Sequence, residues 1–257
     1  LSKSLLATLA GFLCLWIVLD RTASALGSVR GEAGLVVCAA VLAAAVAAEF
    51  AIARRTPRQA LATLGLRAPG APILLWTIAL CLALLCFFPF FALATGTHIG
   101  FRPDAALLAI GMFAQAGIAE EVVFRGFLFR RFREKHSFWR AALYSAIPFT
   151  AVHALLFLSF DFPVAFASLL LAVSLSFPLA WLFECGGNSV WLPAIVHAVV
   201  QASIKLVVVE EAAFQTMAIG WMAISAIAPW LLFALRPGGI VPLHAGGSGA
   251  PDERSRG

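Results

Sequence analysis

The chain has 257 residues, 62% of them hydrophobic and only 12% charged, with a formal net charge of +5. Soluble domains carry roughly 25% charged residues, so a water-solvated globular fold is excluded and a bilayer is the solvent for most of this chain. The five cysteines, at positions 14, 38, 81, 86 and 185, contain no C-x-x-C pair; they read as small packing residues, with neither a thiolate zinc site nor a disulfide framework.

Eight apolar runs follow in chain order: Leu5–Leu19, Gly34–Ala53, Pro72–Ala94, Ala105–Phe129, Phe138–Phe160, Val164–Phe183, Val190–Val209 and Phe214–Leu235. Most approach the roughly 20 residues that cross a hydrocarbon core. The predicted fold is all-α, a polytopic membrane bundle of about eight transmembrane helices. The first run, with Lys3 before it and Ala23-Ser24-Ala25 after it, also fits a secretory signal peptide; we read it as an uncleaved anchor. Residues 1–100 read as scaffold spans with few buried polar groups, and residues 101–210 as the core that holds the chemistry. Residues 211–236 form the last span, and 237–257, rich in Gly, Pro and Ser, a disordered cytoplasmic tail. No internal repeat suggests the inverted halves of a transporter.

The positive charge follows the runs. Arg54, Arg55, Arg58 and Arg67 come after the second, Arg130, Arg131, Arg133, Lys135 and Arg140 after the fourth, and Arg236 after the eighth, while Asp161 and Glu210-Glu211 fall on alternate loops. Cytoplasmic loops are enriched in Lys and Arg, so this pattern puts both termini in the cytoplasm and removes the need for a nucleic-acid partner. The run 130–140 reads as a membrane-border anchor that can also attract acidic headgroups or a substrate tail.

Ionisable residues inside spans are costly, about 3 kcal/mol each on insertion scales, and mark function. Here Glu120, Glu121 and Arg125 lie in the fourth run, His153 in the fifth and His197, Gln201 and Lys205 in the seventh. At the helical rise, the Glu120-Glu121 pair, His153 and His197 fall roughly 10–20 Å from the basic side, so they can meet at similar depth. Glu121 and Arg125 are four apart and form an i,i+4 ion pair. Glu120, turned about 100° away, is left to meet the histidines. A carboxylate in apolar surroundings suits a general base, and with an imidazole opposite it activates water for attack on a peptide carbonyl. His197, Gln201 and Lys205 make one polar stripe, in which His197 and Gln201 offer N–H donors for an oxyanion and Lys205 snorkels toward Glu210 or Glu211. Taken singly, each of these is also a plausible packing residue or structural ion pair. Pro148, Pro178, Pro193 and Pro229 are read only as kinks, and His98, His136 and His244 as surface residues.

Glu120-Glu121-Val122-Val123-Phe124-Arg125-Gly126, then Phe149-x-x-x-His153, then His197-x-x-x-Gln201 resembles the three motifs of the CAAX protease and bacteriocin-processing (CPBP, or Abi) family over about residues 105–205. The resemblance implies an intramembrane endopeptidase of glutamate type. Glu120 and His153 would activate water, His197 and Gln201 would form the oxyanion site, and Glu121 and Arg125 would support them. It departs at one place: the family pattern ends H-x-x-x-N, and this chain has Gln. No cofactor is expected, since the H-E-x-x-H zinc signature is missing. Zinc held by Glu120, His153 and His197 is the alternative, those being the ligand types of a catalytic zinc site. The implied partners are the bilayer and a peptide or protein substrate, membrane-anchored or bearing a C-terminal sorting tag. The abundance of Ala and Arg points to a bacterial inner membrane. The rival readings are a transporter or channel that uses the Glu/His cluster for protons or cations, and a non-catalytic membrane scaffold.

Overall fold

The computed structural model describes residues 2–27, 30–158 and 161–235. The tail expected over 237–257 lies outside the described residues, as does Arg236.

Among the described residues, seven helices are long and apolar enough to cross a membrane: α1 (Lys3–Leu26), α2 (Arg30–Ala53), α4 (Ala71–Thr95), α5 (Ala105–Arg133), α6 (Phe138–Leu158), α7 (Phe162–Cys185) and α9 (Glu211–Ala234). Between them lie a short helix α3 (Pro57–Thr63) and the apolar helix α8 (Trp191–Leu206). The all-α polytopic bundle is therefore present, with one refinement. The seventh apolar run supplies a helix of only 16 residues, about 24 Å long at 1.5 Å per residue.

Helix α8 nevertheless traverses the bundle. Its start is fastened to the α3–α4 connection, where Val190 N–H donates to Gly65 O (3.0 Å) and Ser189 Oγ to Arg67 O (2.8 Å). Its far end passes into an extended pair, β2 (Val207–Val208), which runs antiparallel to β1 (Gly100–Phe101) just before α5, with Gly100 opposite Val208. The starts of α1 and α6 lie with the ends of α2, α5 and α7 at one face, which carries the arginines. Lys135 Nζ reaches Ser4 Oγ there (3.1 Å), and Arg133 grips Glu184 through two hydrogen bonds of 2.7 and 3.0 Å.

Local sequence explains these elements. Thr56 and Gln59 form a reciprocal capping box with Pro57 at the first helical position, which starts α3 sharply. On α2, Val37, Val41, Ala45 and Glu49 recur every fourth residue and are fully buried, one stripe along the helix. Large apolar side chains such as Phe90 (70% exposed) and Leu93 (82%) face outward, which suits lipid and would be costly in water. Helices cross where side chains are smallest. A Cβ on Gly34 would lie 2.1 Å from Gly111 O, and one on Gly117 2.9 Å from Ala194 O, so α2 and α8 both press on α5 backbone to backbone.

Among the described residues, 1–100 hold few buried polar side chains, Thr8, Glu49 and Thr77, and one of them is charged: Glu49 is fully buried and is bound by Arg55, by Arg130 (3.2 Å) and by Arg131 (2.8 Å). The arginines after α5, read as a membrane-border anchor, also have partners inside the protein. Arg130, Arg131 and Arg133 have side chains only 13%, 9% and 15% exposed, because Glu49 and Glu184 draw them inward. A buried carboxylate needs such partners, and the linear sequence does not show which distant cation will supply them.

Candidate active site

Helix α5 is not uniformly α-helical. Phe113–Ala119 and Val122–Phe129 are π-wound, with the Glu120-Glu121 pair between them. A π stretch widens the helix and recurs at functional sites. Here it coincides with close approaches: Gly117 sits against α8, and a Cβ on Gly126 would lie 2.2 Å from Leu64 O. The wide turns are thus wedged between neighbours on both sides of the carboxylates.

The expected ion pair forms, with Arg125 Nη1 donating to Glu121 Oε1 at 2.9 Å, both side chains nearly or wholly buried. The histidine contact is distributed differently from expectation. His197 Nδ1 lies 2.8 Å from Glu121 Oε1, while its Nε2 is 3.8 Å from Glu120 Oε2. One ring therefore reaches both carboxylates, because its two nitrogens point to opposite sides and the glutamates diverge around α5. Since Glu121 accepts from both Arg125 and His197, it is the anchor of the cluster. Glu120, 14% exposed, is the more accessible carboxylate.

Glu121 Oε2 is buried and accepts no hydrogen bond among the described residues. A buried acceptor left in this way asks for a physical reason, and a donor arriving with water or substrate is one.

His153 on α6 donates from Nδ1 to Phe149 O at 2.7 Å, which leaves Nε2 as the ring's acceptor in the neutral form. It joins the others through the Phe149 ring. That ring lies 4.6 Å from the His153 ring, 6.0 Å and edge-on from His197, and 4.6 Å from the Arg125 guanidinium carbon. Gln201 follows His197 by one turn on α8, is half-buried, and makes no side-chain hydrogen bond among the described residues. Lys205 lies one turn further along.

Glu120, Glu121, Arg125 and His197 are thus in direct contact and His153 is linked through Phe149, while Gln201 stands on the adjoining turn. At the level of the sequence, Phe149 is only the start of the Phe149-x-x-x-His153 motif and has no role of its own, although its place four residues before His153 puts it on the same helix face. Among the described residues, no three His, Cys, Asp or Glu side chains are placed to hold a common metal ion. Chemically, the cluster offers a base at Glu120, an acceptor nitrogen at His153 and donors at His197 and Gln201.

Residues 102–203 match the family described as Rce1-like, type II CAAX prenyl endopeptidase Rce1-like. The matched stretch runs from the β1–α5 junction through α8 and contains every residue of this cluster. No curated protein matches the chain. The family match supports a membrane endopeptidase as the general class.

Proposed function

We propose that this chain, which carries the CAAX protease and bacteriocin-processing family core over residues 102–203, is an intramembrane endopeptidase of glutamate type. Glu120, with its carboxylate on the accessible side of the cluster, takes a proton from a water that His153 Nε2 also holds. The water oxygen attacks the scissile carbonyl. His197, fixed at Nδ1 by Glu121, turns Nε2 toward Glu120, and in its doubly protonated form donates from there to the developing oxyanion, with the Gln201 amide one turn away as a second donor. Collapse of the tetrahedral intermediate returns the proton from Glu120 to the leaving amine. Arg125 holds Glu121 in place and does not touch substrate.

The observation that carries this reading is the division of labour between adjacent carboxylates: Glu121 is committed to Arg125 and His197, and Glu120 is not. The substrate class we assign is a membrane-associated peptide or protein, or one presenting a C-terminal tag, cut near the basic face of the bundle. The host is a bacterial inner membrane, with the basic face in the cytoplasm. The deciding experiment incubates the purified protein in liposomes with tagged and membrane-anchored candidate peptides. Glu120→Gln should remain folded while cleavage falls about 10²- to 10⁴-fold. Proton or cation flux without cleavage would replace the protease with a transporter, and neither activity would leave a scaffold.

A further inference from the structure

At the basic face, away from the Glu/His cluster, the start of α1, the end of α2 and the end of α5 enclose a cavity of about 550 Å³. Its wall contains Lys3, Arg55, Arg130, Arg131 and Lys135, with Glu134 as the one acidic residue in the lining. Glu49 lies beneath and is bound by three of the arginines. Five cations therefore share two carboxylates, and the cavity keeps an excess of positive charge.

Hydrogen-bonding capacity is in excess as well. Each guanidinium has five N–H donors, and Glu49 cannot accept from all that surround it. Arg131 shows the shortfall. Its side chain is only 9% exposed, its guanidinium is stacked 3.7 Å from the Phe127 ring, and its Nη2 lies 2.8 Å from Glu49 Oε1. Arg130 Nη2 claims the same carboxylate oxygen at 3.2 Å, so two guanidinium groups share one acceptor, and an anion placed in the cavity would complete the pairing of both.

We propose that this cavity binds the phosphate of an anionic phospholipid headgroup. The cations sit where spanning helices end, at the depth of the leaflet's phosphates, and Leu5, Ala7 and Ile52 give the cavity an apolar side suited to a glycerol backbone and the first acyl carbons. An acidic segment of a peptide has the charge but no use for the apolar side. Bound lipid would tie α1 and α2 to the end of α5, the helix that carries Glu120 and Glu121.

The test uses the full chain in a neutral detergent, with lipid binding read by native mass spectrometry and thermal shift. The probes are phosphatidylglycerol, phosphatidylcholine with the same acyl chains, inorganic phosphate and an acidic peptide. Phosphatidylglycerol should bind in preference to phosphatidylcholine. Lys3→Gln with Lys135→Gln, both at the cavity rim, should weaken phosphatidylglycerol alone, by roughly fivefold per charge removed. Arg131→Lys keeps the charge but loses the fork, and should weaken it further if the variant elutes as folded protein. The double variant decides the matter even where Arg131→Lys does not fold. Equal binding of the two lipids, an unaltered preference in the double variant, or displacement of lipid by inorganic phosphate or the acidic peptide at the same concentration would each overturn the assignment.

Discussion

The guanidinium carbon of Arg125 lies 4.6 Å from the centre of the Phe149 ring, so a fully buried cation rests on an aromatic face that also touches both histidines. Such a contact contributes about 2 kcal/mol when desolvated. More important for function, Phe149 is in contact with Arg125, His153 and His197 together. It also supplies the carbonyl that fixes the His153 tautomer.

Phe149→Leu should therefore fold, since the volume change is modest, but let the two imidazoles shift relative to each other. Displacements approaching 1 Å can cost about 10²-fold in rate. A kcat lowered by about 10- to 100-fold with little change in KM is expected from steady-state cleavage of a defined peptide. Wild-type turnover would reduce Phe149 to a packing residue.

The two glutamates should separate by stability as well as by activity. Glu121→Ala leaves Arg125 buried without its carboxylate, a loss that typically costs about 3–5 kcal/mol. Thermal unfolding in detergent should show a large drop for that variant. Glu120→Gln, at a partly exposed position whose carboxylate lies 3.8 Å from His197 Nε2, should unfold near the wild-type midpoint. Equal destabilisation by both changes would contradict the division of roles.

Gln201 tests the oxyanion site. A side-chain amide aimed at developing charge contributes about 3 kcal/mol in other hydrolases, so Gln201→Ala should lower kcat by about 10²-fold while substrate binding changes little. Gln201→Asn shortens the donor by one methylene. Retained activity would mean α8 is placed for the shorter amide that the family pattern carries, and lost activity would mean the site is adjusted to Gln.

Metal dependence is tested by exhaustive chelation followed by assay and elemental analysis. We expect cleavage to persist with no stoichiometric zinc. Activity that vanishes with chelator and returns only with zinc would reassign Glu120, His153 and His197 as ligands.

Single cysteines in a cysteine-free background report the orientation. Positions beside Arg55 and Arg131 should react with an impermeant thiol reagent only from the cytoplasmic side, and one beside Glu211 only from outside. Both follow from the basic face and from α8 crossing the bundle to its strand pairing with Gly100–Phe101. Labelling of the Arg131 position from outside would invert the topology.

Hydropathy alone determined the membrane class, the helical fold and the approximate spans, because lipid allows a long apolar segment almost no alternative to a helix. The i,i+4 pairing of Glu121 with Arg125 was also legible, since both residues belong to one helix and local geometry fixes their spacing. What the sequence could not decide is how separate helices face each other. The preference of His197 for Glu121 depends on the rotation of α8 against a π-wound α5, and that winding coincides with close approaches to Ala194 and Leu64, remote from the glutamates in sequence. Glu49 was invisible for the same reason: Arg130 and Arg131 lie about 80 residues away, and only the packing of α2 beside the end of α5 turns three border arginines into partners of one buried carboxylate.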